Sequence, residues 1–233
     1  MGALVVDIET AGEVWENFDE QTKHMLVEKF ASRFPESDSP EDSVIQELGL
    51  SPLTGEIVAL GIMDVETGKG AVYFQAPGKD IKEKSEGPLT YRAMSEKAIL
   101  EKFWEISDKY TEFVTFNGRT FDFPYIMLRS AAQGVKPLKD ITRARYLYQQ
   151  APGAVHIDLY DQMTFYGSMR AGSLHMFCRA FGIDTPKNET IDGSKVGEFY
   201  HKGAYEEIAE YNGRDLEATR QLYLRWKKLL SFK

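Results

Sequence analysis

Two periods of apolar residues alternate along this chain, and their order predicts the elements. Ala3 to Ile8 is a short, Val-rich apolar run, the pattern of a strand buried on both faces. Glu56 to Asp64 (EIVALGIMD) and Gly70 to Gln75 (GAVYFQ) flank Val65-Glu66-Thr67-Gly68-Lys69 and read as a hairpin around a Gly-containing turn. Helical spacing follows at Ile99, Leu100, Phe103 and Ile106, with Ser95 three residues ahead of Ala98 as its cap. Phe113 to Phe116 is a further strand, ended by Asn117-Gly118, and Asp122 to Ala132 returns to the helical period through Tyr125, Ile126 and Leu128. Val155 to Ile157 makes a short strand. Leu174, Phe177, Cys178 and Phe181 form a helical stripe closed by Gly182, and the last long helix, about Tyr205 to Leu230, carries Ile208, Tyr211, Leu216, Thr219 and Leu222.

This order predicts an α/β fold with a mixed five-stranded sheet, three antiparallel strands then parallel ones, flanked by helices. The connection from Phe116 to Val155 is expected to be a right-handed crossover. Residues 10 to about 54 read as an insertion, with a helical stretch from Glu16 to Phe30 and then a polar segment from Pro35 to Asp42 that is expected to be mobile. No catalytic role is assigned to it.

At 233 residues and 42% hydrophobic content, the chain is expected to form a single domain with a proper core. No run approaches ~20 apolar residues and no basic segment precedes the first strand, so a cytoplasmic protein without a membrane partner is expected. The lone Cys178 and four scattered histidines lack disulfide or zinc spacing, which leaves oxygen ligands for any metal. A net charge of −8 opposes a bulk electrostatic grip on nucleic acid, although a site that concentrates carboxylates around cations can be acidic and still hold phosphate locally.

Asp7 and Glu9 are two apart at a strand end, so they share a face and repel unless a cation lies between them. Alone, such a pair more often begins a polar turn. Tyr211 and Asp215 are four apart in a helix and also share a face, although the tyrosine could pack in the core and the aspartate pair with Arg214 or Arg220. Asp122 opens a helix and could simply cap it. The three groups gain meaning together, because a mixed sheet brings the ends of their elements to one edge.

The segments Val6-Asp7-Ile8-Glu9-Thr10, Phe116-Asn117-Gly118-Arg119-Thr120-Phe121-Asp122-Phe123-Pro124 and Tyr211-x-x-x-Asp215 resemble the three motifs of the DEDDy 3′-5′ exonucleases of the ribonuclease H-like superfamily. The similarity is greatest to stand-alone relatives of the exonuclease domain of family B DNA polymerases. It runs from Leu4 to about Leu224, and the F-N-G-x-x-F-D block is its most specific part. The resemblance implies a ribonuclease H-like fold, two divalent cations, Mg²⁺ or Mn²⁺, and release of nucleoside monophosphates from a 3′ end. Asp7, Glu9, Asp122 and Asp215 would hold the metals, and Tyr211 would place the attacking water. Single-stranded DNA is the expected substrate; RNA 3′ ends, or binding without catalysis, are the alternatives. No polymerase domain is expected in the same chain. Thr10, Asn117, Phe121 and Arg129 are the candidate substrate contacts: Phe121 could stack on a base or lie in the core, and Arg129 joins Lys136, Lys139, Arg143 and Arg145 in the most basic stretch. Related enzymes often carry an acidic residue near Asp158, which precedes a helix and is placed behind the site at most.

Overall fold

The computed structural model describes residues 2–34, 39–170, 172–184 and 191–232. Its strands are β1 (Gly2–Gly12), β2 (Gly55–Asp64), β3 (Gly70–Phe74), β4 (Lys84–Glu86), β5 (Leu89–Ala93), β6 (Tyr110–Thr115) and β7 (Val155–Asp158). They form one mixed sheet in the order β4-β5-β3-β2-β1-β6-β7. The helices are α1 (Glu20–Arg33), α2 (Pro40–Glu47), α3 (Glu96–Ser107), α4 (Asp122–Ala132), α5 (Leu159–Met163), α6 (Leu174–Phe181), α7 (Val196–His201) and α8 (Tyr205–Leu229).

The antiparallel run β1-β2-β3 and the parallel strands β6 and β7 are as expected. The sheet has seven strands among the described residues rather than five, because β5 pairs parallel to β3 and carries β4 at the edge. All three residues of β4, Lys-Ser-Glu, are exposed, so it carries no apolar signal. In β5 only Leu89 and Tyr91 turn inward, two residues on a five-residue strand.

β1 lies inside the sheet between β2 and β6, and its side chains alternate between two cores. Leu4, Val6 and Ile8 pack with α3 and α4, as in Phe103, Trp104 and Ile126. Ala3, Val5 and Ala11 face the other core, to which α8 contributes Leu216, Leu222 and Trp226. Asp7 and Glu9 belong to this second series, so the period of two aims both toward α8. The helix can approach closely because Gly61, the cross-strand partner of Asp7, has no side chain there. A Cβ on Gly61 would lie 2.1 Å from Asn212 Oδ1 and 2.5 Å from Leu216 Cδ1.

Several local signals take the expected form. The Ser95 side chain accepts from the Ala98 N–H, and Gly182 ends α6 in the left-handed region at φ 63°. The inserted segment differs from expectation. α1 begins at Glu20, behind Asp19, whose carboxylate accepts from the Thr22 N–H, and not at Glu16. Of the polar stretch expected to be mobile, residues 35–38 lie outside the described residues, but Pro40 occupies the first turn of α2, where a missing N–H is no loss. Val44 and Leu48 are buried, anchoring α2 and the turn after it near the end of β1. No helix among the described residues is long and apolar enough to cross a membrane.

Candidate active site

Three carboxylates converge where α8 crosses β1. Asp7, Glu9 and Asp215 each place a carboxylate oxygen within 4.8 Å of the other two. Glu9 and Asp215 are buried and Asp7 is half-buried. The β1–β2 register slips between Glu9 and Thr10, a bulge of the kind that re-aims side chains at a strand end. From α8, Asn212 Nδ2 donates to Asp7 Oδ2 at 2.7 Å, and Tyr211 lies one helical turn before Asp215.

Asp122 approaches from the opposite core. β6 pairs with β1 only as far as Val5, which leaves the Ile8 N–H without a strand partner. Asp122 Oδ1 accepts that N–H at 3.1 Å, so the first residue of α4 is tied to the residue between Asp7 and Glu9. Asp122 stands beside the cluster, outside the group of three, and its charge is felt there: after burial it is the largest influence on Asp7.

The turn that carries Asp122 is held from behind. Asn117 sits at φ 66°, a left-handed conformation that Asn tolerates better than most residues. The two carboxylate oxygens of Asp158 accept from the Asn117 N–H at 2.8 Å and the Arg119 N–H at 2.9 Å. Asp158 also caps α5 through the Tyr160 N–H. It thereby braces the turn that leads into Asp122.

Four buried or half-buried acids at close range cannot all ionise cheaply. Burial, then the charges of Asp122, Glu9 and Asp215, push Asp7 well above the usual carboxylate range. Burial and Asp215 do the same to Glu9, against the pull of the Asn212 hydrogen bond. Burial raises Asp122 to about 7 despite the backbone N–H groups it accepts. Asp215 rises to about 6, again by burial, with the Tyr211 hydroxyl and Arg214 opposing. Tyr211 is driven upward by burial and by the negative charge of Asp215, Glu9 and Asp7, so its phenol stays protonated and acts as a donor.

The donor set suits a hard divalent cation: every ligand atom is oxygen, and the combined charge is negative. Asp215 Oδ1 is buried with no hydrogen-bond partner among the described residues, the state of an atom that a cation would satisfy.

The candidate substrate contacts divide. Asn117 and Phe121 lie on the turn beside Asp122; the Asn117 side chain accepts from Thr120 Oγ1, and Phe121 is half-buried against Tyr125. The Thr10 hydroxyl donates to the Gly49 carbonyl at 2.7 Å. Arg129 is not brought to the cluster. Its guanidinium donates to both oxygens of Glu96, at 2.8 and 2.7 Å, and to the Pro52 carbonyl. Glu96 also accepts from the Ile57 N–H and from Gln133, so it gathers donors from β2 and from α4 with its C-cap. Of the other basic residues, Lys139 binds the carbonyls of Asp108 and Tyr110, and Arg145 pairs with Asp161. Asn212 and Gly61 were missed by sequence reasoning. A polar Asn in mid-helix beside Tyr211 was the available signal for the first; the second had none.

The sequence pattern of a family described as predicted 3′-5′ exonucleases related to the exonuclease domain of PolB matches residues 80–231, about two thirds of the chain. The chain belongs to this family. The match holds Asp122, Tyr211 and Asp215, while Asp7 and Glu9 lie before it and join them through the sheet. Relatives of this exonuclease-family chain include DNA polymerase 1 of Saccharolobus solfataricus, 31% identical over 147 residues, which cover 60% of this chain and 16% of the polymerase. DNA polymerase 1 of Sulfolobus acidocaldarius is 29% identical over 133 residues, covering 55% and 15%. The chain thus spans about a sixth of the length of these relatives. A solved structure of the family B DNA polymerase from Pyrobaculum calidifontis has the same fold over 97% of this chain and 24% of its own, with TM-score 0.61 and 19% identity.

Proposed function

We propose that this protein is a 3′-5′ exonuclease that releases nucleoside monophosphates from single-stranded DNA, using two divalent cations, Mg²⁺ or Mn²⁺. The observation that carries the reading is the convergence of Asp7, Glu9 and Asp215, with Asp122 tied to the strand between the first two, in a chain of this family. When bound, two such ions stabilise the attacking and leaving oxygens of an in-line displacement at phosphorus.

The chain's own residues have distinct tasks. Asp7 is central, flanked by Glu9 and Asp215, and Asn212 fixes its carboxylate. Asp122 would help hold the second cation. Tyr211, kept protonated, orients the nucleophilic water by hydrogen bonding and does not act as the base. Asn117 and Phe121 present a polar group and a ring to the terminal nucleotide, and Thr10 borders the site. Arg129 is engaged by Glu96 and is assigned to stability.

Chromatography of the products from single-stranded DNA and RNA oligonucleotides tests the reading. The expected product is nucleoside 5′-monophosphate from DNA. Release from RNA alone would transfer the activity to RNA, and absence of mononucleotides from both would overturn it.

A further inference from the structure

A cluster of aromatic side chains beside the turn that carries Asp122 has no role in the chemistry described so far. Tyr146 and Tyr148 stack at 5.8 Å between centroids and 22° between planes, and Tyr146 also meets Tyr166 at 4.8 Å. Tyr148 is 82% exposed and Phe165 is 52% exposed, so large ring faces are left in water. Isolated exposed apolar residues are ordinary, but these are grouped and two are held in costly backbone conformations. Phe165 and Tyr166 are consecutive non-glycine residues at φ 50° and 57°, where bulky side chains are disfavoured. The Tyr166 N–H donates to the Asp161 carbonyl at 2.7 Å, which helps hold that turn. Local strain of this type collects at binding sites.

The charge around the rings opposes that of the whole chain. Between Ile141 and Ile157 there is no Asp or Glu, while Arg143 and Arg145 are present. The Arg145 guanidinium lies 5.8 Å from the Tyr166 ring centre. Asp161 is shared by two guanidiniums, Arg119 at 3.1 Å and Arg145 at 2.6 Å, and with Asp158 close by these four charges balance, so the exposed Arg143 carries the surplus positive charge. Arg119 also donates to the Ala144 carbonyl at 2.8 Å. The aromatic segment is therefore fastened to the turn that leads into Asp122, three residues on.

We propose that Tyr146, Tyr148, Phe165 and Tyr166, with Arg143 and Arg145, form a platform that stacks unpaired bases of single-stranded nucleic acid upstream of the terminal nucleotide. The placement upstream rests on the exonuclease reading; the stacking does not. Every base has a ring face, so such a platform tolerates any sequence, and a duplex, whose bases are already stacked, has none to offer. The arginines supply local phosphate contacts that an acidic protein otherwise lacks.

The test is fluorescence anisotropy with labelled oligo-dT, oligo-rU and a blunt duplex, in EDTA so that nothing is cleaved. The variants are Tyr148→Ala, Tyr148→Trp and, as a control of similar exposure on α1, Met25→Ala. Tyr148→Ala should weaken single-strand binding by roughly 5- to 100-fold, with Tyr148→Trp restoring it and Met25→Ala matching the wild type. A lesser effect on rU than on dT, or the reverse, assigns the sugar preference of the platform. Equal affinity of Tyr148→Ala and wild type, no single-strand binding by the wild type, or equal preference for the duplex would each overturn the proposal. Binding that depends on Tyr148 in a wild-type protein that yields no mononucleotide would uphold the platform and reject the exonuclease reading.

Discussion

Replacing Asp122 by Asn should make the metal-free protein more stable while sharply lowering its metal-dependent activity. The neutral amide keeps an oxygen to accept the Ile8 N–H, so the tie between α4 and β1 survives. What disappears is a buried carboxylate raised from 3.8 to about 7. Each tenfold change in proton affinity is ~1.4 kcal/mol, so ionising this group in the fold costs about 4 kcal/mol as an upper figure. Part of that belongs jointly to Asp158 and Asp215, which leaves roughly 2 to 4 kcal/mol for the substitution. For a chain of this length the melting temperature should rise by roughly 5 to 10 °C in EDTA at pH 8. The sign follows from the folded value lying above the unfolded one: the folded state binds the extra proton, so wild-type stability falls as pH rises from about 4 to about 7. The advantage of Asp122→Asn should accordingly shrink toward pH 4 and level off above pH 7. Adding Mn²⁺ should stabilise the wild type and close the gap, while cleavage by the variant falls on the order of 10³-fold. Thermal melts across this pH range, with EDTA or Mn²⁺, make the measurement. A variant less stable than wild type in EDTA at pH 8 would refute the reasoning.

Gly61→Ala should destabilise the protein by about 2 kcal/mol and sharply lower activity, because a Cβ there meets Asn212 Oδ1 at 2.1 Å and must displace the residue that holds Asp7; denaturant melts and cleavage rates check both. Arg129→Ala should cost about 3 kcal/mol by leaving Glu96 buried without its partner, yet leave single-strand affinity of the folded protein unchanged; anisotropy and melts distinguish this from a substrate contact. Tyr211→Phe should lower turnover by roughly 10²-fold while Mn²⁺ still stabilises the protein in melts, since the lost hydroxyl positions water and is not a ligand.

The strand and helix periods carried most of the architecture, while the five residues proposed for chemistry stood out through the resemblance of their three segments to the exonuclease motifs. Asp7 and Glu9 were legible because a period of two puts both on one face of β1, and Tyr211 and Asp215 because one helical turn separates them. Other features depend on partners far away in sequence. Arg129 reads as one more basic residue until Glu96, 33 positions earlier, closes on it. Gly61 matters only because a helix begun some 145 residues later lies against it. The edge strand β4 has no buried side chain, so no hydrophobic pattern could reveal it. The role of Asn212 appears only once α8 is laid across β1.

The central claim is that the carboxylates around Asp7 bind the cations that drive removal of nucleotides from a 3′ end. The most direct measurement is digestion of 5′-labelled single-stranded DNA by wild type and Asp7→Ala, each with Mg²⁺, Mn²⁺ or EDTA. The account predicts a ladder that shortens from the 3′ end, only with metal and only in the wild type. Shortening that persists in EDTA or in Asp7→Ala, or cleavage that begins within the strand, would contradict it.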